Sequence, residues 1–120
     1  MENNFLLIID GSSLLSTQFY GNLPREILFA KTQEEKEKYY YKIMQNSKGV
    51  YTNAVYGFFR TILRIMKEQK PTHLVVNWDI SRDTFRRKLY PEYKAQRSEL
   101  MLPLREQFAL CQDALRTVGI

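Results

Sequence analysis

Two short apolar runs in this chain each stop at an aspartate. Phe5-Leu6-Leu7-Ile8-Ile9 ends at Asp10-Gly11, and Leu74-Val75-Val76-Asn77-Trp78, introduced by Pro71-Thr72-His73, ends at Asp79. Runs this short and this rich in strand formers are too brief for buried helices, and their unbroken apolar character predicts strands buried on both faces. Between them the period changes. From Thr52 or Asn53, both good N-caps, to about Gln69, residues Val55, Phe58, Phe59, Ile62 and Met66 recur at helical spacing, while Arg60, Arg64 and Lys67 share another face. Pro71 prevents the helix from continuing. Strand, helix and strand make a βαβ unit, so the two strands are expected to be parallel with a right-handed crossover.

A second helix is predicted from Pro103, at its first position, to Gly119, with Leu104, Phe108, Cys111, Leu115 and Val118 on one side. Cys111 is therefore read as a core thiol and not as a nucleophile. Residues 25–48 break the pattern. The charged stretch Thr32-Gln33-Glu34-Glu35-Lys36-Glu37-Lys38 precedes Tyr39-Tyr40-Tyr41 and predicts a short surface helix inserted in the crossover. The tyrosines are read as covering a neighbouring apolar surface in preference to stacking on bases.

Composition sets the bounds. A chain of 120 residues is one domain's worth, and 44% hydrophobic with 26% charged residues excludes a disordered tail, a collagen and a coiled coil. A single cysteine excludes a disulfide framework. No apolar run approaches a membrane span, and Met-Glu-Asn-Asn lacks the basic start of a signal peptide, so a cytoplasmic location without a membrane partner is expected. The net charge of +5 is unevenly spread: residues 79–97 carry six Lys/Arg against three Asp/Glu, while residues 1–78 carry ten against seven. Concentrated charge of this kind suits phosphates, although a solvated helix face has the same composition.

Both aspartates stand where α/β sheets bind ligands, outside the carboxyl ends of strands, so neighbouring strands would bring Asp10 and Asp79 to one crevice. Facing carboxylates repel unless a proton or a cation lies between them, and oxygen ligands with open positions suit Mg²⁺, with Mn²⁺ as the alternative. Equally, each Asp would serve as a cap for the turn or helix after its strand. The segment that follows Asp79 adds Arg86, Tyr93, Lys94 and Arg97. Lys94 and Arg97, three apart, share a face in any helix there, a point charge beside a planar fork; Tyr93 offers a platform for an unpaired base. Pro91 divides the segment into two short helical pieces.

Taken together, Ile9-Asp10-Gly11-Ser12-Ser13-Leu14-Leu15, Thr52-Asn53-Ala54-Val55-Tyr56-Gly57-Phe58, Lys70-Pro71-Thr72-His73-Leu74, Asp79, the run from Thr84-Phe85-Arg86 to Tyr90, Tyr93-Lys94 and Arg97 resemble the N-terminal part of the bacterial 5′-nuclease family. That family includes the 5′→3′ exonuclease domain of DNA polymerase I, its stand-alone homologues and, more distantly, flap endonucleases. Each motif alone is weak; their joint occurrence in family order is specific. The resemblance implies a three-layer αβα fold of the PIN-like type with a central, mainly parallel sheet. Residues 1–120 would form the N-terminal portion of one 5′-nuclease domain, 25–48 an inserted charged segment and 80–100 a basic helical gateway.

The same resemblance implies metal-dependent phosphodiester hydrolysis at 5′ flaps or 5′ ends during DNA replication and repair. Asp10 and Asp79 match metal-binding aspartates, and Lys94 and Arg97 the basic pair that reaches the scissile phosphate. Tyr93 and Arg86 match substrate-binding positions. Thr52 and Asn53 open a helix that lies against DNA, its N-terminal dipole suited to a phosphate. A polymerase domain in a longer parent and association with the nucleoid are implied too. The family's Glu-Ala-Asp-Asp motif does not occur in these residues, so the sequence reads as cut short and its isolated activity is expected to be low or absent. Two other classes compete: a nucleic-acid-binding module without catalysis, using residues 79–97 alone, and an aspartyl phosphatase. The phosphatase wants an Asp two residues after Asp10, where Ser12 stands. His73 is expected to be structural, and Trp78 to pack in the core beside the site.

Overall fold

Residues 4–78 and 101–120 are described by the structure, a computed structural model. Strand β1 (Leu6–Asp10) leads directly into helix α1 (Gly11–Gly21). Two short helices, α2 (Arg25–Leu28) and α3 (Gln33–Lys38), and a 3₁₀ turn (Tyr40–Lys42) precede the long α4 (Asn53–Gln69). Strand β2 (His73–Asn77) follows, and α5 (Leu102–Thr117) closes the described chain. The two strands are adjacent and parallel, pairing Leu6 with His73 through to Asp10 with Asn77. This is the βαβ unit that the hydrophobic pattern predicts.

The helices pack on one face of that sheet. Leu7, Ile9, Leu74 and Val76 point into a core completed by Leu15 and Phe19 of α1, Phe58 and Ile62 of α4, and Leu104, Cys111 and Leu115 of α5. The other face is open: Leu6 is 54% exposed, Ile8 59% and Val75 42%. The expectation of burial on both faces is thus corrected. An unbroken apolar run supplies side chains for both faces, but α1, α4 and α5 all cover the same one, so the described residues show a two-layer part of the expected three-layer α/β arrangement.

Helix α4 ends at Lys70, which adopts the left-handed conformation (φ 49°) while its amide bonds to the Met66 carbonyl at 3.0 Å, and Pro71 follows. Its stripe is as predicted except that Met66 is 40% exposed, because the last turn overhangs the core. Val118, assigned to the α5 stripe, is 63% exposed; the helix ends at Thr117, before that position can turn inward. Close contact between α1 and α4 depends on Gly57, where a Cβ would meet the Gln18 side chain and would lie 2.8 Å from Asn22 Nδ2. Residues 25–48 form two short helices and a 3₁₀ turn instead of one helix. The excursion is closed by the Lys42–Glu26 ion pair at 2.9 Å. Tyr39 and Tyr40 pack against the core as expected, whereas Tyr41 is 70% exposed.

Candidate active site

At the carboxyl ends of β1 and β2 lies a shallow, open depression lined by Ile8, Asp10, Asn77 and Trp78. Asp10 stands at its centre for a local reason. It is the N-cap of α1: Oδ1 accepts from the Ser13 amide at 3.1 Å and Oδ2 from the Ser13 hydroxyl at 3.0 Å. Each oxygen has a further lone pair, and the residue is exposed, so capping fixes the carboxylate without exhausting it. Gly11 permits the tight strand-to-helix turn. A Cβ there would sit 2.7 Å from Val76 Cγ1 and 2.9 Å from Trp78 Cε2, so only hydrogen fits between the start of α1 and β2.

Trp78 packs as predicted. Its ring stacks on Phe58 at 5.7 Å and 15°, and meets Phe108 edge-on at 6.0 Å, fixing the chain immediately before Asp79 against α4 and α5. Asp79, Arg86, Tyr93, Lys94, Arg97 and the gateway 80–100 lie outside the described residues. His73 starts β2 at the end remote from Asp10, its Nδ1 3.0 Å from the Thr72 hydroxyl. Four residues of strand, roughly 13 Å, separate it from the depression. Among the described residues no group of three or more His, Cys, Asp or Glu comes together as a metal cage.

The start of α4 differs from the phosphate-facing helix end expected of Thr52 and Asn53. Asn53 is fully buried: its Nδ2 donates to the Phe19 carbonyl at 3.1 Å, and its Oδ1 accepts from Gln107 Nε2 at 2.8 Å. Gln107, also fully buried, reaches across from α5 and presents Oε1 to the amides of Ala54 (2.8 Å) and Val55 (3.1 Å), while Nε2 also donates to the Pro103 carbonyl at 3.0 Å. Two of the free amides at the start of α4, those of Ala54 and Val55, are therefore satisfied from within the protein, and the buried Asn53 side chain ties α4 to α1 and α5. Thr52, half-buried, makes no side-chain cap.

Gln107 and Asn77 are the two site-forming residues that the hydrophobic pattern passes over. The signal for Gln107 is a polar residue inside the stripe Leu104, Phe108, Cys111; for Asn77 it is a carboxamide in an otherwise apolar strand. Cys111 is buried as expected, and desolvation pushes its thiol up to about 12. No described helix is long and apolar enough to cross a membrane.

Residues 5–120 match the family described as 5'-3' exonuclease, N-terminal resolvase-like domain. A DNA polymerase I of Bacillus caldotenax is 36% identical over 115 residues, which cover 96% of this chain and 11% of the polymerase. A 5'-3' exonuclease of Bacillus subtilis is 33% identical over 120 residues, all of this chain and 36% of the exonuclease. A DNA polymerase I of Mycobacterium bovis is 36% identical over 115 residues. The chain thus spans about a tenth of the polymerases and about a third of the exonuclease it matches. No solved structure matches it.

Proposed function

The chain belongs to the 5'-3' exonuclease family, as an N-terminal resolvase-like domain, and on that premise we propose that it contributes carboxylates to a metal-dependent active site that hydrolyses DNA phosphodiesters at 5′ flaps or 5′ ends. The observation that carries this reading is the placement of Asp10: an exposed carboxylate at the carboxyl end of a parallel strand pair, oriented by Ser13, one residue pair from the strand that leads into Asp79.

Asp10 fits a hard cation, since its oxygens are held in place and keep unused lone pairs, and Asp79 is the second carboxylate assigned to the same ion. When bound, Mg²⁺ or Mn²⁺ supplies charge neutralisation at the phosphoryl group and a lowered pKa for water. Ser13 orients the Asp10 carboxylate through its amide and hydroxyl. Lys94 and Arg97, on the 80–100 gateway, neutralise the scissile phosphate, Tyr93 stacks on an unpaired base, and Arg86 binds the backbone. In this reading the work is done on bacterial DNA, in the cytoplasm at the nucleoid, in company with a polymerase domain.

Cleavage is tested in a hybrid in which these 120 residues replace the matching segment of the Bacillus subtilis exonuclease. A 5′-labelled flap substrate should be cut in Mg²⁺, and Asp10→Ala or Asp79→Ala should reduce the rate by at least about a hundredfold, the scale of losing one strong electrostatic contact to the transition state. A folded hybrid that binds the flap without cutting it, or that cuts equally well with Asp10→Ala, overturns the reading.

A further inference from the structure

Helix α4 divides its side chains between two opposite faces. Ala54, Phe58 and Ile62 are buried in the core, while Tyr56, Arg60, Arg64 and Lys67 line the other side and are all exposed. Successive members of this stripe stand three or four residues apart, so they are neighbours on one face. No acidic residue shares it: Glu68, the only carboxylate of the helix, lies at its edge. Helix α3, by contrast, mixes Glu34, Glu35 and Glu37 with Lys36 and Lys38, as a merely solvated surface does. Like charges one turn apart cost helix stability, and an anion laid along the stripe would relieve that cost. The Arg60 guanidinium lies over the Tyr56 ring, 5.3 Å from its centroid, which steadies its plane and leaves its N–H edge open.

We infer that this stripe is a track for the phosphate backbone of duplex DNA, separate from the depression at Asp10. The inference deepens the proposed function; it rests on DNA as the substrate and not on the metal chemistry. From Arg60 to Lys67 the helix rises about 10 Å, and one strand of a duplex advances about 3.4 Å per phosphate, so three cations face about three phosphates. A single strand is the poorer fit, because Tyr56 already holds Arg60 and no free aromatic platform alternates with the cations. Position favours the duplex too. Phe58, on the turn that leads to Arg60, stacks on Trp78 at the depression, whereas Lys67 stands where α4 turns toward the start of β2, at the end of the sheet remote from Asp10. The track therefore leads away from the depression along the body of the protein.

The test is the fluorescence anisotropy of a short labelled duplex titrated with the 120-residue chain, in EDTA so that cleavage plays no part, between about 50 and 200 mM salt. Each phosphate contact contributes about 0.9 to the slope of log affinity against log salt, so Arg60→Gln/Arg64→Gln/Lys67→Gln should flatten the slope by about 2–3 and weaken binding at least about tenfold. Lys31→Gln/Lys38→Gln/Lys48→Gln removes the same charge from exposed positions elsewhere and should leave the slope within about 0.5. Equal flattening by the two triple variants, a change below about 1 for the stripe variant, or no duplex binding at all overturns the inference. So does a stripe variant that loses affinity for phosphatidylglycerol vesicles while keeping it for the duplex. Should the stripe variant lose its helical circular dichroism spectrum, Arg64→Gln decides alone, with an expected change in slope of about 1. Asp10→Ala separates the two readings: it should leave duplex affinity and its salt slope in place, so failure of the track leaves the proposed cleavage standing, and failure of cleavage leaves the track standing.

Discussion

Replacing Gln107 by leucine removes four hydrogen bonds from the interior at almost constant volume. The Oε1 acceptor for the Ala54 and Val55 amides disappears, as does the Nε2 donor to Asn53 Oδ1 and to the Pro103 carbonyl. The Pro103 carbonyl opens the first turn of α5 and retains its helical partner. Val55 is half-buried and can recruit water. Two groups are stranded without either remedy: the Ala54 amide and Asn53 Oδ1, both in fully buried residues. An orphaned buried polar group costs about 1–3 kcal/mol, and the added apolar surface returns only part of it, so Gln107→Leu should cost about 3–4 kcal/mol. Domains of this size are stable by roughly 5–15 kcal/mol, so that loss is a large fraction of the whole.

Urea unfolding followed by far-ultraviolet circular dichroism and by Trp78 fluorescence measures it. Trp78 reports the correct region, since it stacks on Phe58 of α4 and meets Phe108 of α5, the two helices that Gln107 joins. The double variant Asn53→Leu/Gln107→Leu separates a network from independent bonds. With both carboxamides gone Asn53 Oδ1 no longer exists to be stranded, so the double change should cost about 1–2 kcal/mol less than the sum of the singles. A single-variant loss below about 1 kcal/mol, well under the penalty for one stranded group, or strict additivity, would refute the claim that this clasp holds α4.

Three further outcomes are expected. Asparagine caps a helix as well as aspartate does, so Asp10→Asn should keep stability within about 0.5 kcal/mol while Asp10→Ala loses about 1 kcal/mol, yet both should abolish Mg²⁺ binding by isothermal titration. Cys111 should resist thiol reagents at pH 8 until the chain is unfolded; because burial raises its pKa from 9.0 to about 12, its contribution is present below pH 9 and falls as pH climbs toward 12, visible as a declining urea midpoint in alkali. Lys70→Gly should stabilise the chain by about 0.5–1 kcal/mol in the same unfolding assay, since glycine adopts positive φ without the clash that Lys70 bears at 49°.

What the chain reveals before folding follows the range of the interactions. Strands β1 and β2, helix α4 and the burial of Trp78 and Cys111 are written in local periodicity, and the parallel pairing follows from having a helix between two strands. Burial of the second sheet face is not written there, because Leu6 and Ile8 have the same composition whether or not a helix covers them. Nor is the filling of the α4 N-terminus. Thr52 and Asn53 look like ordinary N-caps, yet the group that accepts from the Ala54 and Val55 amides comes from Gln107, more than fifty residues away, so only the packed structure shows it. Asp10 stands out in the sequence because a lone carboxylate at a strand end is a local feature; its pairing with Asn77 is visible only through the ladder register.

The two roles open to Asp10, helix cap and metal ligand, are then not competitors. A carboxylate has about four lone-pair directions, and the Ser13 amide and hydroxyl use one on each oxygen. Those two bonds remove the rotational freedom that a ligand would otherwise surrender on binding a cation, so the cap supplies preorganisation at no cost in coordination capacity. The position of the cap is set in turn by Gly11, whose missing Cβ lets α1 start within van der Waals distance of Val76 and Trp78. The far end of the same helix is tied by Asn53 to the Gln107 clasp through the Phe19 carbonyl. Helix α1 is thus fixed at both ends, by a hydrogen-bonded cap at the site and by a buried carboxamide pair behind it. A side chain that needs placement to within about half an ångström is held by a rigid element and not by a loop.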